Sequence, residues 1–271
     1  MNCFLLNFKV VVIIFIDTSF TYNGISSIDM GVMLVKIDTG MVEQNFGMPR
    51  SIITSKIKDV LQPLFYGFEE EPIRFKIIIA KQGEWTTTDR MNICKWLFQN
   101  NYRDFISNDD ITIIYKCVAI GQPKFYNNAN NQGYAEIEFE CDAPHAWSPV
   151  FVRQFDLSSN TTSITIEVEN KSNMDDIYHY PEIEFTLVDD ATSFKLVNLQ
   201  DGGRIFEFTG LEEQETVYIN NKTKYIKSDT GLYRLSNLTD KQFFRMVYGI
   251  NNVEVFGKCL LTIRSQFPIV V

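Results

Sequence analysis

"YAEIEFECDAPHAWSP", residues 134–149, alternates as far as Cys141 and then stops alternating. Ala135, Ile137, Phe139 and Cys141 fall on one side, with Tyr134, Glu136, Glu138 and Glu140 on the other. Period-two alternation predicts a half-buried strand of an antiparallel sheet. Pro144 and Pro149 cannot extend it, because neither offers the N–H that a ladder needs and each pushes the preceding residue toward an extended conformation. Asp142, Pro144, His145, Trp147 and Pro149 therefore predict a stiff hinge over 144–149, near the middle of a 271-residue chain, with Trp147 free to pack between two bodies.

The two flanks of this hinge differ in character. On the N-terminal side, "SFTYNG" and "MGVMLVKIDTG" predict paired strands, with Asn23-Gly24 supplying the positive φ angles of a tight turn. Residues 46–70 look less regular, punctuated by Pro49 and Pro63. "IRFKIIIA" (73–80) puts Ile73, Phe75, Ile77 and Ile79 on one strand face. "TTTDRMNICKWLFQN" predicts the one helix: Thr and Asp suit its start, and Ile93, Trp96 and Leu97 share a face. "ITIIYKCVAIG" and the opening stretch are two more strands joined by the Asn-rich "NNANNQG".

On the C-terminal side the pattern is almost purely β. "SITIEVEN" and "PEIEFTL" alternate, and further short strands are expected at 194–199, 204–209, 215–220, 223–227, 232–235, 243–248, 252–256 and 258–264. Turn residues such as Asp201-Gly202-Gly203 and Asp229-Thr230-Gly231 separate them. Many short strands without a helix predict a β-sandwich or jelly roll. The expected fold is mainly β: a barrel-like domain with one helix over 17–143, the hinge, and a sandwich over 150–271. Residues 1–16 read as an N-terminal extension, too short in its apolar part (Val10–Ile16) to cross a bilayer and poor as a signal peptide.

Composition narrows the function. A 45% hydrophobic and 14% aromatic chain supplies ample core. A net charge of −9 argues against non-specific nucleic-acid binding and against a polybasic membrane anchor. Five cysteines (Cys3, Cys94, Cys117, Cys141, Cys259) form no close pair in sequence, and Cys117 and Cys141 read as small core residues.

No catalytic constellation stands out. Only His145 and His179 exist; a structural role is expected for the first and solvent exposure for the second. Asp38-Thr39-Gly40 follows an apolar strand in the manner of one aspartic-protease loop, and Asp229-Thr230-Gly231 is its only counterpart. Both triplets equally make ordinary turns. Asn160, Asn170, Asn221 and Asn237 head Asn-x-Ser/Thr triplets, and Tyr218, Tyr225 and Tyr233 are candidates for stacking on sugar. No cofactor, metal ligand set or catalytic residue is assigned.

The order of the pieces resembles the distal tail protein (Dit) family of long-tailed bacteriophages. "FTYNGISSIDMGV" (20–32) is similar to that family's opening strand and turn, and "TTTDRMNICKWLFQNNYRDF" to its helix. "YAEIEFECDAPHAWS" resembles its strand-to-hinge passage, and "MVYGINNVEVFGKCLLTIRSQFP" its closing turn and last strands. The likeness runs over roughly residues 17–268, and the apolar stretch before Asp17 departs from it. It implies a non-enzymatic homohexamer in the virion: a tail-tip ring built by N-terminal domains, with galectin-like C-terminal domains projecting outward. It further implies contacts with the tail tube protein, the tail-associated lysin or tail fibre and receptor-binding proteins. DNA would pass the lumen without specific binding. The rival expectation is a carbohydrate-binding sandwich that attaches to the host surface.

Overall fold

The computed structural model describes residues 19–35, 47–58 and 60–271. Residues 1–16 and the Asp38-Thr39-Gly40 triplet lie outside them. The chain divides into two compact units, one running to Trp147 and including Val270–Val271, the other spanning Ser148–Ile269.

The first unit contains β1 (Phe20–Tyr22), β2 (Ile25–Ser26), β3 (Val32–Leu34), β4 (Arg50–Ser55), β5 (Leu64–Glu70) and β6 (Arg74–Lys81). Helix α1 (Thr87–Leu97) follows, then β7 (Arg103–Ser107), β8 (Asp110–Asn127), β9 (Gly133–Cys141) and β10 (Ala146–Trp147). A curled antiparallel sheet, a half-barrel, runs in the order β2-β1-β7-β8-β9-β6-β3. Asn23 and Gly24, at φ 52 and 75, close a two-residue hairpin in which Tyr22 faces Ile25. The hairpin partner is thus Ile25–Ser26. β3 crosses to the far edge and pairs with β6.

Local chemistry starts α1 where the sequence places it. Thr86 Oγ1 accepts the Asp89 N–H at 3.1 Å, and the Asp89 carboxylate accepts the Thr86 N–H at 3.0 Å. This reciprocal capping satisfies two otherwise orphaned backbone donors. Ile93, Trp96 and Leu97 turn inward to meet Phe20, Tyr22, Phe105 and Phe139 from the sheet. Phe20 stacks on Trp96 at 5.4 Å, and Trp96 Nε1 donates to the Tyr22 carbonyl at 2.8 Å. Truncation of Thr86 to alanine should cost about 1 kcal/mol of this unit's stability, measured by urea unfolding. A change within a few tenths of zero would mean that the cap is redundant with the Trp96 anchor.

The second unit contains β11 (Phe151–Asp156), β12 (Ile164–Asn170), β13 (Glu182–Leu187), β14 (Phe194–Asn198) and β15 (Arg204–Phe208). Then come β16 (Thr216–Asn220), β17 (Tyr225–Ser228), β18 (Gly249–Phe256) and β19 (Cys259–Ser265). Two antiparallel sheets, β11-β19-β13-β16-β17 and β12-β18-β14-β15, bury one apolar cluster. Phe185 of one sheet stacks on Phe194 of the other, with ring centroids 3.9 Å apart.

Several expectations need correction here. Residues 232–235 make no strand, because Arg234–Asn237 is a short 3-10 helix whose Arg234 side chain is drawn into a buried ion pair. Residues 243–248 make only an isolated bridge, from Met246 to His179. That bridge buries His179, which is 9% exposed rather than solvated.

Candidate assembly surface

Within the stretch 46–70, irregular by sequence, the described residues 47–58 and 60–70 hold an unusual surface. Among the described residues β4 and β5 pair only with each other, in register Ile52↔Phe68, Ile53↔Gly67 and Thr54↔Phe65, and join no other sheet. A shift between Ile53 and Thr54 bulges the ribbon, and Gly67, at φ 134, takes a backbone conformation that residues with a Cβ rarely adopt. Apolar side chains lie on both faces, since Ile52 and Ile53 are neighbours on one strand. Ile52 is 64% exposed, Phe65 60%, Tyr66 64% and Phe68 47%. Phe65 meets Phe68 edge-on at 5.3 Å, and the Arg50 guanidinium covers Phe68 at 4.5 Å.

A two-stranded ribbon is at best marginally stable alone. One that presents this much apolar surface to water marks an interaction site. Its charge is also polarised. Lys56 and Lys58 are exposed just beyond the end of β4, whereas at the opposite end exposed Glu69, Glu70 and Glu71 outnumber Arg50, and the Glu71 N–H closes onto the Pro49 carbonyl at 3.0 Å.

The hinge residues are partly gathered. Trp147 Nε1 donates to Asp142 Oδ1 at 3.1 Å, the His145 ring meets the Trp147 ring edge-on at 4.7 Å, and Lys116 Nζ lies 4.8 Å over the indole. Trp147 also pairs with Ile114 of β8. Asp142, His145 and Trp147 thus form a cluster on the first unit. Pro144 is half-buried beside them, and Pro149 belongs to the second unit, where its carbonyl accepts from Ser148 Oγ at 2.8 Å.

Asp229 and the candidate asparagines have structural tasks. Asp229 accepts the Thr216 N–H at 3.1 Å in a turn that Gly231, at φ 73, completes. Asn160, Asn170 and Asn221 are buried, and the amides of Asn160, Asn221 and Asn237 donate to backbone carbonyls. Such asparagines brace loops. Tyr218 and Tyr225 lie diagonally across β16–β17, facing Lys227 and Asn220 respectively, and Tyr233 is 75% exposed.

Sequence comparison assigns both units. Residues 15–143 match the model of a phage tail protein N-terminal domain, and residues 145–265 that of a phage tail C-terminal domain. The SPbeta prophage-derived uncharacterized protein YomH of Bacillus subtilis (strain 168) is 20% identical over 248 residues, covering 92% of this chain and 96% of its own length. Among solved structures, the Dit protein of phage SPP1, described as a paradigm of the hub adsorption apparatus in phages infecting Gram-positive hosts, aligns with a TM-score of 0.67. That match has 12% identity and covers 92% of this chain and 98% of the other. A chain of the phage P2 baseplate aligns with a TM-score of 0.50 and 9% identity, covering 87% and 90%. Two consecutive family domains and a shared fold lead to one assignment: the chain belongs to the phage tail protein family and has the fold of the Dit proteins of baseplate hubs.

Proposed function

We propose that this chain is a structural tail-tip protein that assembles through its first unit into a homohexameric ring. The ring joins the tail tube to the tail-associated lysin, tail fibre and receptor-binding proteins. The second unit, a galectin-like sandwich, projects as their docking platform. The chain does no covalent chemistry, is made in the host cytoplasm and is carried in the virion.

The observation that supports this reading best is the β4–β5 ribbon. Its basic end and acidic end are complementary, so the ribbon of one subunit fits head-to-tail along a like surface of the next. Contacts of that heterologous kind close into rings when the rotation permits. Burying Ile52, Phe65 and Phe68 in a neighbour contributes about 1.5–3 kcal/mol per side chain, enough to offset the ordering of a marginal ribbon. The number six comes from the family resemblance. An acidic subunit suits a lumen through which DNA passes without adhering. The cluster of Asp142, His145 and Trp147 would stiffen the joint at which the platform leaves the ring.

Native mass spectrometry and negative-stain microscopy of the full chain test the proposal. Six-fold rings are expected from the wild type, and monomers from the double variant Ile52→Asp/Phe65→Asp. The variant's urea midpoint should be unchanged, because neither side chain is in a core. A wild type that stays monomeric at every concentration, or a variant that still forms the same rings, would refute it.

A further inference from the structure

Cys117 of β8 and Cys141 of β9 are far apart in sequence but directly opposite in the sheet. The hydrogen-bond pattern defines which kind of opposite pair they are. The Asp142 N–H donates to the Lys116 carbonyl at 2.8 Å, so Lys116 and Asp142, one position along, form the hydrogen-bonded pair. The Cys141 N–H points the other way, to the Ile73 carbonyl at 2.8 Å, and the Cys117 carbonyl accepts from the Tyr22 hydroxyl at 3.2 Å. Cys117 and Cys141 are therefore a non-hydrogen-bonded pair, in which side chains sit closest and Cα atoms are about 4.5 Å apart. That spacing falls inside the window of roughly 4.4–6.8 Å that a disulfide requires. Both side chains lie on the same face, fully buried in the same apolar cluster, and both are free thiols.

We propose that Cys117 and Cys141 are a latent cross-strand disulfide that closes when the protein meets an oxidising medium. A tail component is made where thiols are kept reduced and works after the cell has burst, so the same pair meets both conditions. With a small external disulfide as oxidant, one cysteine thiolate attacks and displaces a thiol, giving a mixed disulfide. The second thiolate then displaces the other half. Two Cys–SH and one external disulfide become one Cys–S–S–Cys and two external thiols, which carry off both electrons and both protons.

Burial sets the rate. It pushes the Cys141 thiol up to about 12 and raises Cys117 further, the neighbouring cysteine adding to the effect there. Reaction thus waits for local opening of the β8–β9 hairpin, whereas exposed Cys94 reacts without it. The same shielding then protects the closed bond from reductant.

The test uses the full-length folded protein, incubated with oxidised glutathione, then unfolded, alkylated and weighed. Of the five cysteines, Cys117 and Cys141 should slowly lose alkylation together, with a Cys117–Cys141 linked peptide after digestion. A Cys3→Ser/Cys94→Ser background removes competing mixed disulfides. In that background oxidation should raise the melting temperature of the first unit, and dithiothreitol added to unfolded protein should reverse the shift. Cys117→Ser and Cys141→Ser should each abolish both the linkage and the shift. Full alkylation of both residues in wild type after prolonged native oxidation overturns the proposal, and so does a linkage of either one to any other cysteine. The mass measurement on the wild type decides even where a serine variant folds poorly.

Discussion

Replacing Glu215 with alanine should destabilise the second unit by about 3–5 kcal/mol, the range for leaving one partner of a buried ion pair uncompensated. The Glu215 side chain is fully buried and that of Arg234 is 8% exposed. Arg234 grips the carboxylate with both prongs, Nε to Oε1 and a terminal nitrogen to Oε2, each at 2.7 Å. Ser228 Oγ donates at 2.5 Å, and the Glu212 N–H at 2.9 Å. Burial alone would raise the Glu215 carboxyl, but these hydrogen bonds outweigh it and hold the group below its ordinary value. One side chain thus ties together the turn before β16, the end of β17 and the 3-10 helix at Arg234. Removing it leaves a guanidinium that cannot give up its proton with only the exposed Glu212 carboxylate, 3.6 Å away, to balance it. The double replacement Glu215→Met/Arg234→Leu should recover most of the loss, since no buried charge is left unpaired and Glu212 is solvated. Urea unfolding monitored in the second unit reads both. A loss under 1 kcal/mol for Glu215→Ala would show that water reaches Arg234 and compensates it.

This network also shows where sequence reading stops. Strands whose inner face is continuous with a core were legible, because alternation is the direct trace of one buried face. Ile77, Ile79, Ile137, Phe139, Ile183 and Phe185 are all buried as the pattern demands. Helix α1 was legible twice over, from its cap and from the spacing of Ile93, Trp96 and Leu97. Long-range choices were not. Nothing in "GVMLVK" says that β3 pairs with β6 rather than with the strand before the Asn-Gly turn, because either partner satisfies its backbone. The β4–β5 ribbon was missed for the opposite reason: it serves no core within the subunit, so "RSIITS" and "LFYGFEE" have no inner face to enforce alternation. The clue available was the density of Ile, Phe and Tyr between Pro49 and Pro72, where a solvated loop would be polar. Arg234 and His179 carry no local signal either, since each is buried by partners distant in sequence.

His179 leads to the second large effect, a loss of about 3 kcal/mol of stability as pH falls from above 6.5 to about 4. The residue sits in "DDIYHYPE", yet its backbone exchanges hydrogen bonds with Met246 at 3.0 and 2.8 Å, and its ring packs against Phe267 at 4.5 Å. Its Nε2 is buried without a hydrogen-bond partner among the described residues. Burial, reinforced by Lys222, lowers its pKa from 6.5 to about 4, so the folded chain keeps the ring neutral where the unfolded chain protonates it. Unfolding therefore takes up a proton within that window, and stability rises with pH there. The contribution is complete above 6.5 and is lost progressively on the way down to about 4. Glu215 acts lower: with its pKa depressed, its contribution is present above the ordinary carboxylate value and fades only as pH falls through the folded one. Between pH 6.5 and 5 the slope should thus follow His179 and not Glu215. Urea midpoints of wild type and His179→Phe across that interval separate the two. The apolar ring should flatten the curve while costing little at neutral pH, and an unaltered slope in the variant would move the titration to another group.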